Sequence, residues 1–387
     1  MDRRRRRHHH DVAALTGGAP RCAVVGAGVM GAAAASALAA AGADVILFER
    51  FPLDHQRGSS HGATRLFRLA YFEHPDYVPL LRQAQSGWRA LERKSGRTVM
   101  MRTGVVEIGP ADSVLISGVR RAARDHNLAL EQWSPQKCRR ATPGLRVDPH
   151  WDILFEPDAG FLLAETARNA FLDHAQENGA RIRAADPVTG LDQRSNHLMV
   201  RTPSGAFPVD RIVIAPGAFA SPLLDDLELT SSIPTIRRIP KTLCWFQQKS
   251  PSYTLANKTA PFALQQEDGA LFYGFPAIDS AGVKIGRHTD EGADEDAKAI
   301  KCFVDDRFSD WSATPAGSVQ CRYEMSPDAA FIIDRHPSDT RILLTLGFSG
   351  HGFKFAPAIG DIIAGMAFDK PPDKAVEFLS LVRFSSA

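Results

Sequence analysis

Residues 26–31 read Gly26-Ala27-Gly28-Val29-Met30-Gly31, and Glu49 lies a short way beyond. That spacing suits a pyrophosphate. Gly26 makes a tight turn, Gly28 lets backbone approach phosphate without a Cβ, and Gly31 lets helix and sheet pack closely. A helix starting there adds free N–H donors and a partial positive charge. The Glu49 carboxylate can accept both hydroxyls of an unphosphorylated ribose. Three other clusters place polar side chains among glycines. The first runs from Gly58 to Arg68 and holds His61 and Arg65. The second joins Gly274 to Gly282–His288 and holds Lys284. The third joins Cys321-Arg322-Tyr323 to Phe331–Pro337 and to Gly347–Phe355, with Gly350-His351-Gly352-Phe353-Lys354 inside it.

The elements that must position these residues follow from pattern. Cys22 to Val25 is a short apolar run entering the glycine turn. Residues 32–41 are alanine-rich and stop at Gly42, and Asp44 to Glu49 is a second strand. Strand, glycine turn, helix and strand within about thirty residues make a dinucleotide unit. Glu49 points to FAD or NAD rather than NADP. Two later strands also enter glycines, at 210–219 with Gly217 and at 341–348 with Gly347. They read either as ordinary interior strands or as the rest of a discontinuous site, which suits a cofactor longer than NAD. Helices are expected over 76–96, 113–126, 166–178, 295–308 and 356–368, the last with Pro357 in its first turn. The stretch 133–161 reads as loops, and 181–214 as short strands. Pieces at 242–247, 262–266, 271–275 and 283–286 read as an antiparallel sheet.

Forty-six basic against 44 acidic residues give a net charge of +2. Five arginines and two aspartates fall in the first twenty residues, so the remainder carries −1. A general nucleic-acid binder would need a clear basic excess. Residues 1–20 read as a disordered leader, since no apolar segment follows the basic run as a secretory signal requires. No apolar stretch is long enough to span a membrane. Five cysteines without a CxxC give no disulfide framework and suit a reducing compartment, the cytoplasm. Cys22, Cys138, Cys244 and Cys302 read as small buried side chains. The histidines give no metal site.

Taken with the glycine fingerprint, the three clusters closely resemble the monomeric sarcosine oxidase family, over residues 21–384. That family includes N-methyltryptophan and pipecolate oxidases, within the glycine-oxidase-like flavoproteins. The resemblance implies an α/β fold: a Rossmann-like FAD-binding domain with a second α+β substrate domain on a mixed or antiparallel sheet. Residues 21–100, 160–236 and 321–384 would form the first, and 101–159 and 237–320 the second. It also implies FAD joined covalently to Cys321 through its 8α-methyl group. Gly26, Gly28, Gly31, Glu49, Arg50, Gly217, Gly347, Gly350, His351, Gly352 and Lys354 would bind the cofactor. Lys284 would stand over the flavin N5, where O₂ is reduced. His61 and Arg65 would lie beside the ring. Arg68 and Lys354 would hold a substrate carboxylate, Tyr273 would shape the pocket, and His288 would bind substrate or tune the flavin.

The implied reaction oxidises a secondary or N-methyl amino acid to an imine and H₂O₂, in a monomer. Water then releases an aldehyde. Pipecolate, proline or a sugar-derived amino acid would serve the same chemistry. An acceptor other than O₂ and a non-catalytic flavin-bearing interaction protein are the alternatives. Ala63 stands where the family often has an acidic residue. Residues 237–266, with Arg237, Arg238, Trp245 and Phe246, are expected to contribute to the pocket.

Overall fold

The computed structural model describes residues 19–384 apart from 290, 313, 372 and 373. Most of the expected leader therefore lies outside the described residues.

One six-stranded sheet runs Ile332–His336, Asp339–Leu346, Arg211–Ile214, Arg21–Val25, Asp44–Phe48, Arg181–Arg183 in space. Its pairs are parallel except the hairpin of the first two strands. Cys22, Val24, Val213 and Leu343 face one core, and Ala23, Val25, Ile212 and Leu344 face the other. A sheet covered on both faces needs such continuous apolar runs. The helix Val29–Ala40 lies in the first core, almost wholly buried. Its alanines let the helix Ala356–Ala367 come close: a Cβ on Gly360 would sit 2.7 Å from the Ala33 carbonyl oxygen.

An eight-stranded sheet runs Gly317–Met325, Arg237–Phe246, Val283–His288, Leu271–Phe275, Phe262–Gln265, Val105–Gly109, Asp152–Glu156, Glu131–Gln132. Only Phe262–Gln265 and Val105–Gly109 pair in parallel. The sheet is mixed, as the resemblance implies. Ile300 and Phe303 of the helix Ala293–Arg307 pack on one face with Cys244, Phe246 and Ile285. The other face looks toward the first sheet. Smaller three-stranded sheets join Thr64–Phe67, Gly160–Leu163 and Met100–Met101, and Gly190–Gln193, Leu198–Thr202 and Gly205–Val209.

Three expectations change. The stretch 133–161 is not all loop: it carries the helix Pro135–Ala141 and the strands Asp152–Glu156 and Gly160–Leu163. The Ser134 hydroxyl caps that helix by accepting the Lys137 N–H, with Pro135 in the first turn. The strand Gly317–Met325 pairs along its length with Arg237–Phe246, so the larger sheet runs through the expected boundary at 321. Cys302 is exposed, whereas Cys22, Cys138 and Cys244 are buried; all five cysteines are free. Among the described residues no helix is long and apolar enough to cross a membrane.

Candidate active site

A cavity of about 350 Å³ lies between the carboxyl ends of the parallel strands and the inner face of the eight-stranded sheet. Open α/β sheets place ligands at that edge. Every residue expected in the site lines this cavity except Gly31 and Gly347. Those two act by packing: a Cβ on Gly31 would lie 1.8 Å from the Gly26 carbonyl oxygen, and one on Gly347 would lie 2.9 Å from the Ser326 Cβ. Of residues 237–266, Leu243 and Ala263 reach the cavity. Arg237, Arg238, Trp245 and Phe246 do not. Arg237 and Arg238 are exposed, and Phe246 belongs to the core on the opposite face.

At one end the wall is mostly backbone. Gly26 has φ +103°, and a Cβ there would lie 2.3 Å from the Ala215 carbonyl oxygen. Only glycine takes that turn at no steric cost. At the start of the helix Val29–Ala40, the Val29 N–H donates to the Ser60 hydroxyl at 3.0 Å. Ser60 thus stands where a phosphate would accept. The buried Glu49 carboxylate accepts the Ala27 N–H at 2.8 Å and the Phe51 N–H at 3.0 Å, fixing the end of its strand. Arg50 lies over Phe51 and Phe219. Gly217 has φ +56° and closes the middle strand's turn.

At the middle of the cavity the charges are held rigidly. The Arg65 guanidinium donates to the Ser59, His61 and Thr64 carbonyls at 2.7, 2.7 and 2.8 Å. Lys284 is buried and donates to the Thr64 carbonyl at 2.7 Å. Burial, with Arg65 nearby, holds its ammonium well below the usual lysine range. Burial and Arg65 lower His61 to about 4, and its Nε2 has no hydrogen-bond partner among the described residues. Cys321 lies on the inner sheet face with Leu243 and Tyr323. Burial pushes its thiol up, while Arg65, Lys284 and Lys241 pull it down.

The far end gathers ionisable side chains from distant segments. Arg68 is buried and meets Glu73 at 3.1 Å and Glu107 at 3.3 Å. The Lys354 Nζ donates to the His351 carbonyl at 2.8 Å, and its own carbonyl accepts the Trp88 indole N–H at 2.9 Å. Burial lowers Lys354 to about 7, against the pull of Glu73. Tyr71 meets the His351 Nδ1 at 2.6 Å, and burial lowers His351 to about 3. Burial likewise lowers His288 to about 4; its ring faces Tyr323, which faces Tyr273. Gly350 and Gly352 leave room for aromatic rings: a Cβ at either would strike Tyr323 at 2.3 Å or Phe348 at 2.4 Å.

The sequence reading missed Ser60, Glu73, Glu107 and Glu156. Glu107 did carry a signal: it interrupts the apolar run Val105-Val106-Glu107-Ile108. Among the described residues no cluster of three or more side chains is arranged to hold a metal.

A cradle that a Cβ would fill, a helix N-terminus beside it, and an unpartnered His61 nitrogen farther along fit a long dinucleotide ending in a polar ring. The family described as FAD dependent oxidoreductase matches residues 21–366, and the chain belongs to it. Within that family, a similar curated relative is N-methyl-L-tryptophan oxidase of Yersinia pestis (strain Pestoides F). It is 33% identical over 373 residues, covering 93% of this chain and 98% of the relative. Solved structures share the fold at lower identity. NikD, an amino acid oxidase of nikkomycin biosynthesis, matches with a TM-score of 0.80 at 21% identity, covering 94% of this chain and 98% of its own. L-Proline dehydrogenase from P. horikoshii matches with 0.79 at 19%, covering 95% and 98%.

Proposed function

We propose that this chain is an oxidase of secondary or N-methyl amino acids that uses FAD held covalently by Cys321 and passes electrons to O₂. The observation that carries the reading is a pairing within one cavity: the glycine cradle at one end and Arg68 with Lys354 at the other. Bound FAD would supply a two-electron acceptor, so that a substrate C–N bond becomes an imine, hydrolysed by water, and O₂ becomes H₂O₂.

The residues then have separate tasks. The N–H groups at the start of the helix Val29–Ala40, with Ser60, hold the pyrophosphate. Glu49 holds the ribose. Arg65, locked by three carbonyls, presents a fixed positive charge in the middle of the cavity. Lys284 Nζ, kept poor in protons by burial, takes one up where negative charge develops during O₂ reduction. The Arg68 fork grips the substrate carboxylate and Lys354 adds a second charge. Tyr273, Leu243 and Leu271 line the cavity and shape the space for the rest of the substrate. His288, neutral near pH 7, offers a hydrogen bond rather than a charge.

The similarity to N-methyl-L-tryptophan oxidase supports this substrate class. A hydrogen-peroxide screen over N-methyl and cyclic amino acids tests it. Peroxide with at least one of them is expected. Silence across the panel, from protein carrying flavin, would reject the oxidase reading.

A further inference from the structure

Three carboxylates crowd one guanidinium beneath the proposed carboxylate site. Glu73 and Glu107 both approach Arg68. Glu156 lies beside them, its Oε1 accepting the Leu69 and Ala70 N–H groups at 2.6 and 3.2 Å. It thereby fixes the chain directly after Arg68. Glu107 is fully buried in an interior strand, between Leu154 on one side and Ala263 on the other. One oxygen of Glu107 and one of Glu156 have no hydrogen-bond partner among the described residues. Three negative charges cannot share one cation in a dry site without one or more being neutralised by a proton. A substrate carboxylate arriving at Arg68 would be a fourth.

We infer that Glu107 is a proton-gated counter-charge: it must hold a proton for the substrate carboxylate to share the Arg68 guanidinium, so binding is coupled to proton uptake. The inference rests on the reading of Arg68 and Lys354 as a carboxylate site.

The surroundings agree. Glu107 is faced by Arg68 and Glu73 from the segment after Thr64–Phe67 and by Glu156 from the neighbouring strand. The strand Phe262–Gln265 puts uncharged Ala263 opposite it, and the helix Val114–His126 packs there with Leu115, Ile116 and Val119. Glu73 in turn faces Arg68, His351, Lys354 and His288. Burial, reinforced by Glu156, pushes Glu107 up to about 8 despite Arg68. Burial pushes Glu156 to about 7 against its two backbone N–H donors. Arg68 and the histidine–lysine group bring Glu73 below its usual range against the effect of burial. Glu73 is therefore the standing partner of Arg68. Glu107 and Glu156 both sit where a proton can be gained or lost around neutrality, and of the two it is Glu107 that touches Arg68, so its charge is the one that competes for the guanidinium. Glu107 acts through Arg68 and is a positioning residue.

The test uses flavin-loaded protein and two acids with no amine to oxidise, cyclopentanecarboxylate and indole-3-acetate. Affinity is read from the flavin absorbance change between pH 6.5 and 9. Proton uptake is read by calorimetry at pH 8 in two buffers of different ionisation enthalpy, with cyclopentanecarboxamide as the uncharged control. Wild-type protein should take up protons with the acids but not with the amide. The bound-minus-free infrared spectrum should gain the carbonyl band of a protonated carboxylic acid, which Lys354 cannot give. Glu107→Gln and Glu107→Leu should lose most of the uptake and bind the acids about tenfold tighter than wild type at pH 9. Glu107→Asp should restore the coupling. If an acid binds without proton uptake or without the infrared band, the inference falls and the carboxylate site stands. Uptake in Glu107→Gln equal to wild type would also overturn it. If neither acid binds, both readings fall.

Discussion

Near Gly26 the cavity wall is mostly backbone: the glycine turn, the start of the helix Val29–Ala40 and the turn at Gly217. Near Arg68 it is a packed set of ionisable side chains drawn from residues 68–73, 288 and 351–354, with Glu107 and Glu156 behind Arg68. The difference is physical. Backbone cannot be exchanged for another chemistry, so a backbone site tolerates only glycine at its close approaches. A side-chain site is tuned by neighbours, since each buried charge depends on the others. The first end should therefore fail all at once, and the second by degrees and with pH.

The sharpest contrast is within the cradle. Gly31→Val would force a Cβ against the Gly26 carbonyl oxygen at 1.8 Å. It should abolish flavin content, read as the ratio of visible to ultraviolet absorbance. Gly28→Ala would meet only the Ser60 hydroxyl among the described protein atoms, at 3.3 Å, so it should fold as wild type does while its Cβ, facing the proposed pyrophosphate, lowers flavin content part of the way. Full flavin content in Gly31→Val would mean that close packing is not what the fingerprint encodes.

The next largest effect should come from Cys321→Ser. It should leave the protein folded with bound flavin, but that flavin should be released into the supernatant by acid. Release from the wild-type protein would remove the covalent proposal. At the far end, Arg68→Gln should raise KM about 10- to 100-fold, the value of one charge-assisted hydrogen bond, with less effect on kcat. A fall confined to kcat would place Arg68 outside carboxylate binding.

The smallest expected effect is in stability. Burial pushes Glu107 in the fold up to about 8, well above an ordinary carboxyl, so between the two values the folded state binds the extra proton. Folding is then favoured at low pH, and this contribution is lost as pH rises toward and through 8. Glu107→Gln cannot lose it. The melting temperature of the variant relative to wild type should climb from pH 5 to pH 9. A constant difference would mean that Glu107 does not titrate there.

How much the sequence reveals follows the same division. Gly26, Gly28 and Gly31 announce themselves because local spacing alone determines their task. The strands Arg21–Val25 and Asp44–Phe48 and the helix between them are legible for the same reason. The helix Pro135–Ala141 is short, and its signal is only a Ser-Pro start in a proline-rich stretch. Glu73 and Glu156 look like ordinary surface acids in sequence. Only the pairing of Val105–Gly109 with Asp152–Glu156, and the return of residues 68–73 beneath them, brings the acids to one guanidinium. Lys354 stands out in a glycine-rich cluster and takes its expected role from the family resemblance, but its perch on Trp88 depends on a contact between segments 266 residues apart.

In the proposed oxidase, FAD anchored in the glycine cradle would reach with its ring to the middle of the cavity and accept electrons from an amino acid held by Arg68 and Lys354 at the other end. The most direct measurement is anaerobic mixing of the flavin-loaded protein with the best amino acid from the peroxide screen and, separately, with the same amine lacking its carboxylate. The amino acid should bleach the flavin absorbance far faster at equal concentration, and added O₂ should restore it with one H₂O₂ per flavin. Equal bleaching by both compounds, or bleaching that O₂ does not reverse, would contradict the account.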